Sequence, residues 1–129
     1  MSKLKNQEFK ALWEKAMQAG SNAAAACTPT PMAVQETGLF GKFDHKKPYE
    51  VVMDGVCGFA WVQIKPGNTA FANWLKKMNY ARPDSYYGGV SVWIGDYNQS
   101  MQRKEAHAGA MARVFSEAGY NAYMMSRMD

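Results

Sequence analysis

Cysteine is nearly absent from this chain. Cys27 and Cys57 are the only two, and neither has a close cysteine or histidine companion, which excludes a disulfide scaffold and any recognisable zinc site. Nothing approaches eighteen consecutive apolar residues, so a membrane-spanning helix and a membrane partner are excluded. The opening Met1-Ser2-Lys3-Leu4-Lys5-Asn6-Gln7-Glu8 lacks the apolar stretch of a secretory signal, and the expected location is cytoplasmic. An excess of one charge is also missing. The 15 basic and 11 acidic side chains leave a formal +4, well short of the density of a protein that coats nucleic acid. Neither a phosphate-loop nor a dinucleotide fingerprint occurs, and no spaced set of carboxylates, nucleophile and base stands out. No cofactor and no metal are therefore expected.

What is present supports one packed domain over residues 1–129. A hydrophobic fraction of 47% against 20% charged is ordinary for a globular core. The less ordinary part is uncharged: 10 Met, 7 Tyr, 6 Phe and 4 Trp, residue types that fill cores and also suit binding surfaces.

Periodicity divides the chain into an N-terminal helix (residues 2–27), an exposed loop (32–48) and an α/β core (49–129). Phe9, Leu12, Trp13, Ala16 and Met17 make one helical face, extended by the small Gly20, Ala24 and Cys27. Residues 49–53 and 56–64 are β-rich and separated by Asp54-Gly55, a hairpin signal. Asn68 or Thr69 caps a helix whose apolar stripe is Phe71, Trp74, Leu75 and Met78. Residues 90–95 form another strand. A helix over residues 99–118 buries Met101, Ala108, Met111, Ala112 and Phe115 and stops at Gly119. Residues 120–128 are a last strand. This order predicts an α/β or α+β domain with a small three- to four-stranded mixed sheet packed by helices, its three longer strands mainly parallel.

Parallel strands would bring their carboxyl ends to one edge, where open α/β sheets bind ligands. The donors at that edge are Lys65, Asn68, Gln99, Ser100, Arg103 and Arg127, a set suited to a phosphate. Tyr86, Tyr87 and Tyr97 are candidate stacking or interface residues there. A second candidate is the sheet face that parity assigns to Phe59, Trp61, Trp93 and Tyr123, with Gln63, Met125 and Arg127 among them. Such a face either stacks bases, as single-strand nucleic-acid modules do, or takes the first helix with its Phe9, Trp13 and Met17. Left exposed, it would also suit homodimerisation. His45 falls in the exposed loop, His107 on a helix beside Glu105 in a structural role, and Cys57 is expected to be a small buried hydrophobe.

Several strings taken together resemble a known group: Pro29-Thr30-Pro31-Met32, Gly55-Val56-Cys57-Gly58-Phe59-Ala60-Trp61-Val62, Lys65-Pro66-Gly67-Asn68, Tyr86-Tyr87-Gly88-Gly89-Val90, Gln99-Ser100-Met101-Gln102-Arg103-Lys104-Glu105-Ala106 and Ser126-Arg127-Met128-Asp129. They resemble a group of small uncharacterised proteins encoded by tailed bacteriophages and prophages, from about Trp13 onward. The resemblance assigns no role to any residue. It implies a phage accessory protein in a bacterial host cytoplasm, or a minor virion component.

The expectation is a non-enzymatic module binding a phosphate-bearing ligand, nucleic acid or nucleotide, at the sheet edge. The alternative is a protein–protein module that acts on a host enzyme or defence system through the loop 32–48 and residues 80–87, where Tyr and Arg suit hot spots. An enzyme would require Cys57 or His107 exposed in a cleft beside a carboxylate.

Overall fold

An eight-residue helix rises about 12 Å, whereas an eight-residue strand runs about 26 Å. The short helix that follows the central strand does not by itself return the chain to the start of that strand. The next strand begins where the central one ends, and the pair is antiparallel. This decides the architecture.

The structure is a computed structural model that describes residues 3–29, 32–34, 50–52, 57–97 and 100–128. Its elements are α1 (Lys3–Ala26), β1 (Met32–Val34), β2 (Glu50–Val52), β3 (Gly58–Lys65), α2 (Ala70–Lys77), β4 (Arg82–Pro83), β5 (Val90–Trp93), α3 (Met101–Glu117) and β6 (Asn121–Met128). The main sheet has the order β4-β5-β3-β6 with every neighbouring pair antiparallel. The domain is thus α+β, and the expected parallel arrangement is corrected. Its trace survives in one place. β5 and β6 both run opposite to β3, so they point the same way, and α3 crosses from one to the other past the strand between them.

The hairpin expected around Asp54-Gly55 is also replaced. β3 is flanked by β5 on one side and by all of β6 on the other, so it has no free edge for β2. β2 pairs instead with β1, Met32 opposite Val52 and Val34 opposite Glu50. The expected loop 32–48 accordingly begins with a strand. The rest of that loop, His45 and the Asp54-Gly55 turn lie outside the described residues.

Alternation along β3 sends Gly58, Ala60, Val62 and Ile64 to one face, joined by Val90, Val92 and Ala122. The helices pack on this face. α3 lies across β3 and β6, and α1 runs along α3. Small residues on α1 (Ala16, Gly20, Ala24) are buried, so its backbone comes close to α3. An added Cβ at Gly20 would lie 2.6 Å from the His107 ring. Phe9 reaches α2, its ring 5.3 Å from Phe71 and 6.0 Å from Trp74. Trp13 stacks on Tyr80 at 4.3 Å and on Phe115 at 6.4 Å. Phe71, Leu75, Ile64, Met111 and Phe115 are fully buried, each worth about 1.5–3 kcal/mol of transfer free energy.

Both long caps follow their chemistry. The Thr69 hydroxyl accepts from the Ala72 N–H at 3.1 Å, and Ser100 caps α3 through the Arg103 N–H. Met101 is only half-buried, Met78 is exposed and Lys104 and His107 join the buried stripe of α3. Among the described residues no helix is long and apolar enough to cross a membrane.

Candidate functional site

The helices occupy one face of the sheet and leave the other to the aromatics. Of the two alternatives for Phe59, Trp61, Trp93 and Tyr123, cover by α1 is the one the structure does not take, because Phe9 and Trp13 of α1 pack on α2, α3 and Tyr80. Register builds the outer face in rows. Trp61 lies opposite Trp93 on β5 and Met125 on β6, Gln63 opposite Ser91 and Tyr123, and Phe59 opposite Arg127. The Trp61 and Trp93 rings stack with centroids 4.5 Å apart and an interplanar angle of 19°, and Phe59 meets Trp93 edge-on at 6.0 Å. Trp61 is buried beneath its neighbours, while Trp93 stays 46% exposed and Tyr123 36%. A half-exposed tryptophan backed by a second ring is a preformed stacking surface.

One end of this face is roofed by residues 84–89. Asp84 Oδ1 accepts the backbone N–H groups of Tyr86 and Tyr87, each at 2.9 Å, the Asx-turn chemistry of an aspartate at a loop entrance. Its Oδ2 accepts the Ser91 hydroxyl at 2.7 Å. Gln63, fully buried, accepts the Trp61 indole N–H at 2.9 Å and donates to the Gly88 carbonyl. These bonds, the Tyr87 N–H foremost and then the Ser91 hydroxyl, hold the Asp84 carboxyl below its ordinary 3.8. Gly89 seals the junction: its φ is +68° and an added Cβ would fall 2.1 Å from the Ile64 carbonyl oxygen, so only glycine fits. The loop presents Tyr87 against Trp61 at 6.0 Å and leaves Tyr86 84% exposed.

Three clefts border Trp93, and two of them bear on this face. One, of about 380 Å³, is lined by Trp61, Asp84, Tyr86, Tyr87, Trp93 and Arg127. The other, of about 310 Å³, is lined by Asn79, Tyr80, Ala81, Arg82, Ser91 and Trp93. Cations stand at both ends of the face. The Lys65 ammonium is 5.9 Å from the Tyr123 ring, and the Arg127 guanidinium and Lys104 ammonium are each 5.4 Å from that of Phe59. Lys104 is buried and donates to the Gly58 carbonyl at 3.2 Å.

The antiparallel sheet divides the donors expected at a single edge. Lys65 and the exposed Asn68 lie at the end of β3. Ser100, Arg103 and Arg127 lie at its start, where Cys57 bridges Ser100, about 20 Å away over six strand residues. Gln99 lies outside the described residues. Ser100 is a buried helix cap, and Arg103 donates to the Ala24 carbonyl at 3.1 Å, tying α1 to α3. Tyr97 turns into the helical layer, with φ +70° and its hydroxyl 2.7 Å from His107 Nδ1. Trp61, Trp93, Tyr86, Tyr87 and Arg127 do converge. Sequence reading missed Arg82, Ser91 and the place of Asp84 in this site. The Asp84-Ser85-Tyr86-Tyr87 string carried a turn signal, but the pairing of Gln63 with Ser91 spans 28 residues and leaves none.

Cys57 is exposed rather than buried, which corrects the expectation of a small core residue. His107 is 1% exposed, and burial lowers its imidazole below the ordinary 6.5 against an opposing pull from the Asp96 charge. Asp96 and His107 line one cleft of about 220 Å³, yet the ring is engaged by Tyr97 on one side and packed on Gly20 on the other. Among the described residues no group of three or more His, Cys, Asp or Glu side chains could hold a metal ion. No family model, curated protein or solved structure matches the chain.

Proposed function

We propose that this chain is a non-enzymatic module that binds single-stranded nucleic acid on the outer face of its sheet, bases stacking on Trp93 and the Tyr86–Tyr87 loop and phosphates meeting Lys65, Arg82 and Arg127. One observation carries the reading: the stacked Trp61–Trp93 pair lies on the face turned away from the helices, with cations at both ends. Aromatic stacking tolerates every base, and cations track the backbone. Asp84, the acid lining the main cleft, is already engaged by Ser91 and two backbone N–H groups, which limits its repulsion of a phosphate chain. The phage setting implied by the sequence strings belongs to the same proposal, as an accessory protein acting on nucleic acid in a host cytoplasm.

The test follows tryptophan fluorescence during titration with single-stranded oligonucleotides of about 4–16 nucleotides. Binding should quench the signal. Three phosphate contacts predict a slope of log K against log salt of about −2. Trp93→Ala should weaken binding by about 1–3 kcal/mol, a factor of about 5 to 150, with the fold retained because Trp93 is half outside the core. Absence of quenching at any length, or a Trp93→Ala protein that binds like wild type, would refute the reading.

A second reading has one observation behind it. β6 is an outer strand eight residues long that pairs with β3 and with no other described strand, and an open edge of that length invites a second chain. A homodimer through β6, or a host protein added there, would then use the Tyr123–Met125–Arg127 side of the same face.

A further inference from the structure

The cleft beside Trp93 contains one carboxylate among its rings. The hydrogen-bond geometry of that carboxylate sets what a base can offer it. Asp84 Oδ1 accepts two backbone N–H groups, from Tyr86 and Tyr87, and Oδ2 accepts one hydroxyl, from Ser91. Each carboxylate oxygen has two lone-pair sites, and an ionised carboxylate donates nothing. Oδ1 is therefore saturated, and Oδ2, with the Gln63 amide as the weakest further contact of the carboxylate, is the oxygen a ligand's donor would meet in a cleft otherwise lined by Trp61, Tyr86, Tyr87, Trp93 and Arg127. Arg127, the cation of the same cleft, is the donor that a phosphate or carbonyl would take.

Resting on the reading that this face stacks nucleic-acid bases, we propose that the cleft is a base-selecting subsite in which Asp84 accepts a hydrogen bond from an exocyclic amine, so that it takes cytosine and turns away uracil and thymine. Cytosine and uracil have the same ring and nearly the same outline. They differ where cytosine carries an N4 amino donor and uracil an O4 acceptor. Stacking on Trp93 barely distinguishes them. A carboxylate does, because it accepts from N4–H and repels O4, the pairing by which acidic side chains read cytosine elsewhere. Uracil N3–H offers no escape, since carbonyl oxygens flank it on both sides.

Asp84 cannot turn away to relieve a mismatch. Its three accepted hydrogen bonds fix both oxygens, and Ser91 is itself 3.2 Å from the buried Gln63 Oε1. Asp84 is thus a specificity residue whose orientation is set by Ser91 and the Tyr86–Tyr87 backbone.

The experiment compares oligo-dC with oligo-dU of equal length at neutral pH, by tryptophan quenching, on the wild-type chain and on Asp84→Asn. The wild type should bind oligo-dC about tenfold tighter. Asparagine keeps an oxygen for the two N–H groups and replaces Oδ2 with an amino donor, so Asp84→Asn should bring the ratio to about one or reverse it. A thermal melt checks that the variant is folded. Oligo-dC methylated twice at N4 should fall to the oligo-dU affinity on the wild type, a readout that needs no variant. Equal binding of oligo-dC and oligo-dU by the wild type would overturn base selection while leaving nucleic-acid binding standing. A folded Asp84→Asn that keeps the wild-type ratio would overturn it as well. Binding of neither oligonucleotide would remove both readings together.

Discussion

Gly20 offers the sharpest test of how the helical layer is built. It lies inside α1, where alanine in place of glycine ordinarily stabilises by about 1 kcal/mol. Here the added methyl would sit 2.6 Å from both Cδ2 and Nε2 of His107. Those are atoms of a rigid ring that is 1% exposed and held through Nδ1 to the Tyr97 hydroxyl at 2.7 Å. The ring has nowhere to go, so α1 must lift from α3. Such overpacking costs about 1–3 kcal/mol, which outweighs the propensity gain. Gly20→Ala should therefore destabilise by about 1–2 kcal/mol and lower Tm by several degrees, at roughly 3–5 °C per kcal/mol for a domain of this size. Urea unfolding followed by far-UV circular dichroism gives the free energy. The decisive arm is the same substitution in a His107→Ala background. With the ring gone the clash disappears, and Gly20→Ala should then stabilise by about 0.5–1 kcal/mol. The signature is a change of sign between backgrounds. A rise in the unfolding midpoint of the single variant, or equal shifts in both backgrounds, would show that His107 does not set the approach of the two helices.

The buried His107 also predicts a pH dependence. Burial lowers its folded pKa below 6.5, so the unfolded chain takes up the proton first as pH falls. The stability contributed by the neutral ring is complete above about pH 6.5 and declines below it, until the folded ring itself protonates. Urea midpoints at about pH 7.5 and about pH 5.5 should show the loss, and His107→Gln should flatten it; an unchanged slope in that variant would assign the loss to other groups. The two arginines once grouped at a single edge should now behave differently. Arg103→Ala removes the hydrogen bond to the Ala24 carbonyl and should cost about 1–2 kcal/mol of stability with little effect on oligonucleotide affinity. Arg127→Ala, exposed at the end of the aromatic face, should weaken binding, reduce the salt slope by about 0.7 and leave Tm nearly unchanged. The reverse pattern would return the site to the start of α3.

How far the sequence could be read depended on the range of the interaction involved. Helices α2 and α3, the cap at Thr69 and the stop at Gly119 follow from residues within a turn of one another, and they stand close to where periodicity places them, whereas Ser100, read as a phosphate donor, is the cap of α3. Parity along β3 and β5 was equally local, which is why Phe59, Trp61 and Trp93 could be grouped on one face before any partner was known. Strand direction is not local. It depends on where a connection delivers the chain relative to the preceding strand, and the connection 66–89 delivers it to the end of β3, placing Val90 beside Ile64. The error at the site follows from this one step. Reversing β5 and β6 separates Lys65 from Arg127 by nearly the length of β3, and it brings Ser91 and the residue 84–89 loop over Gln63. Which face the first helix covers was likewise undetermined, because Phe9 and Trp13 on α1 match any apolar surface. Backbone proximity decides it: the face of Gly58, Ala60 and Val62 lets α3 approach closely. An added Cβ at Gly58 would lie 2.5 Å from the Met101 sulfur at the start of α3, an approach that the larger rings of Phe59, Trp61 and Trp93 would prevent. The aromatic face is left outward because it is too bulky to seat a helix at that distance.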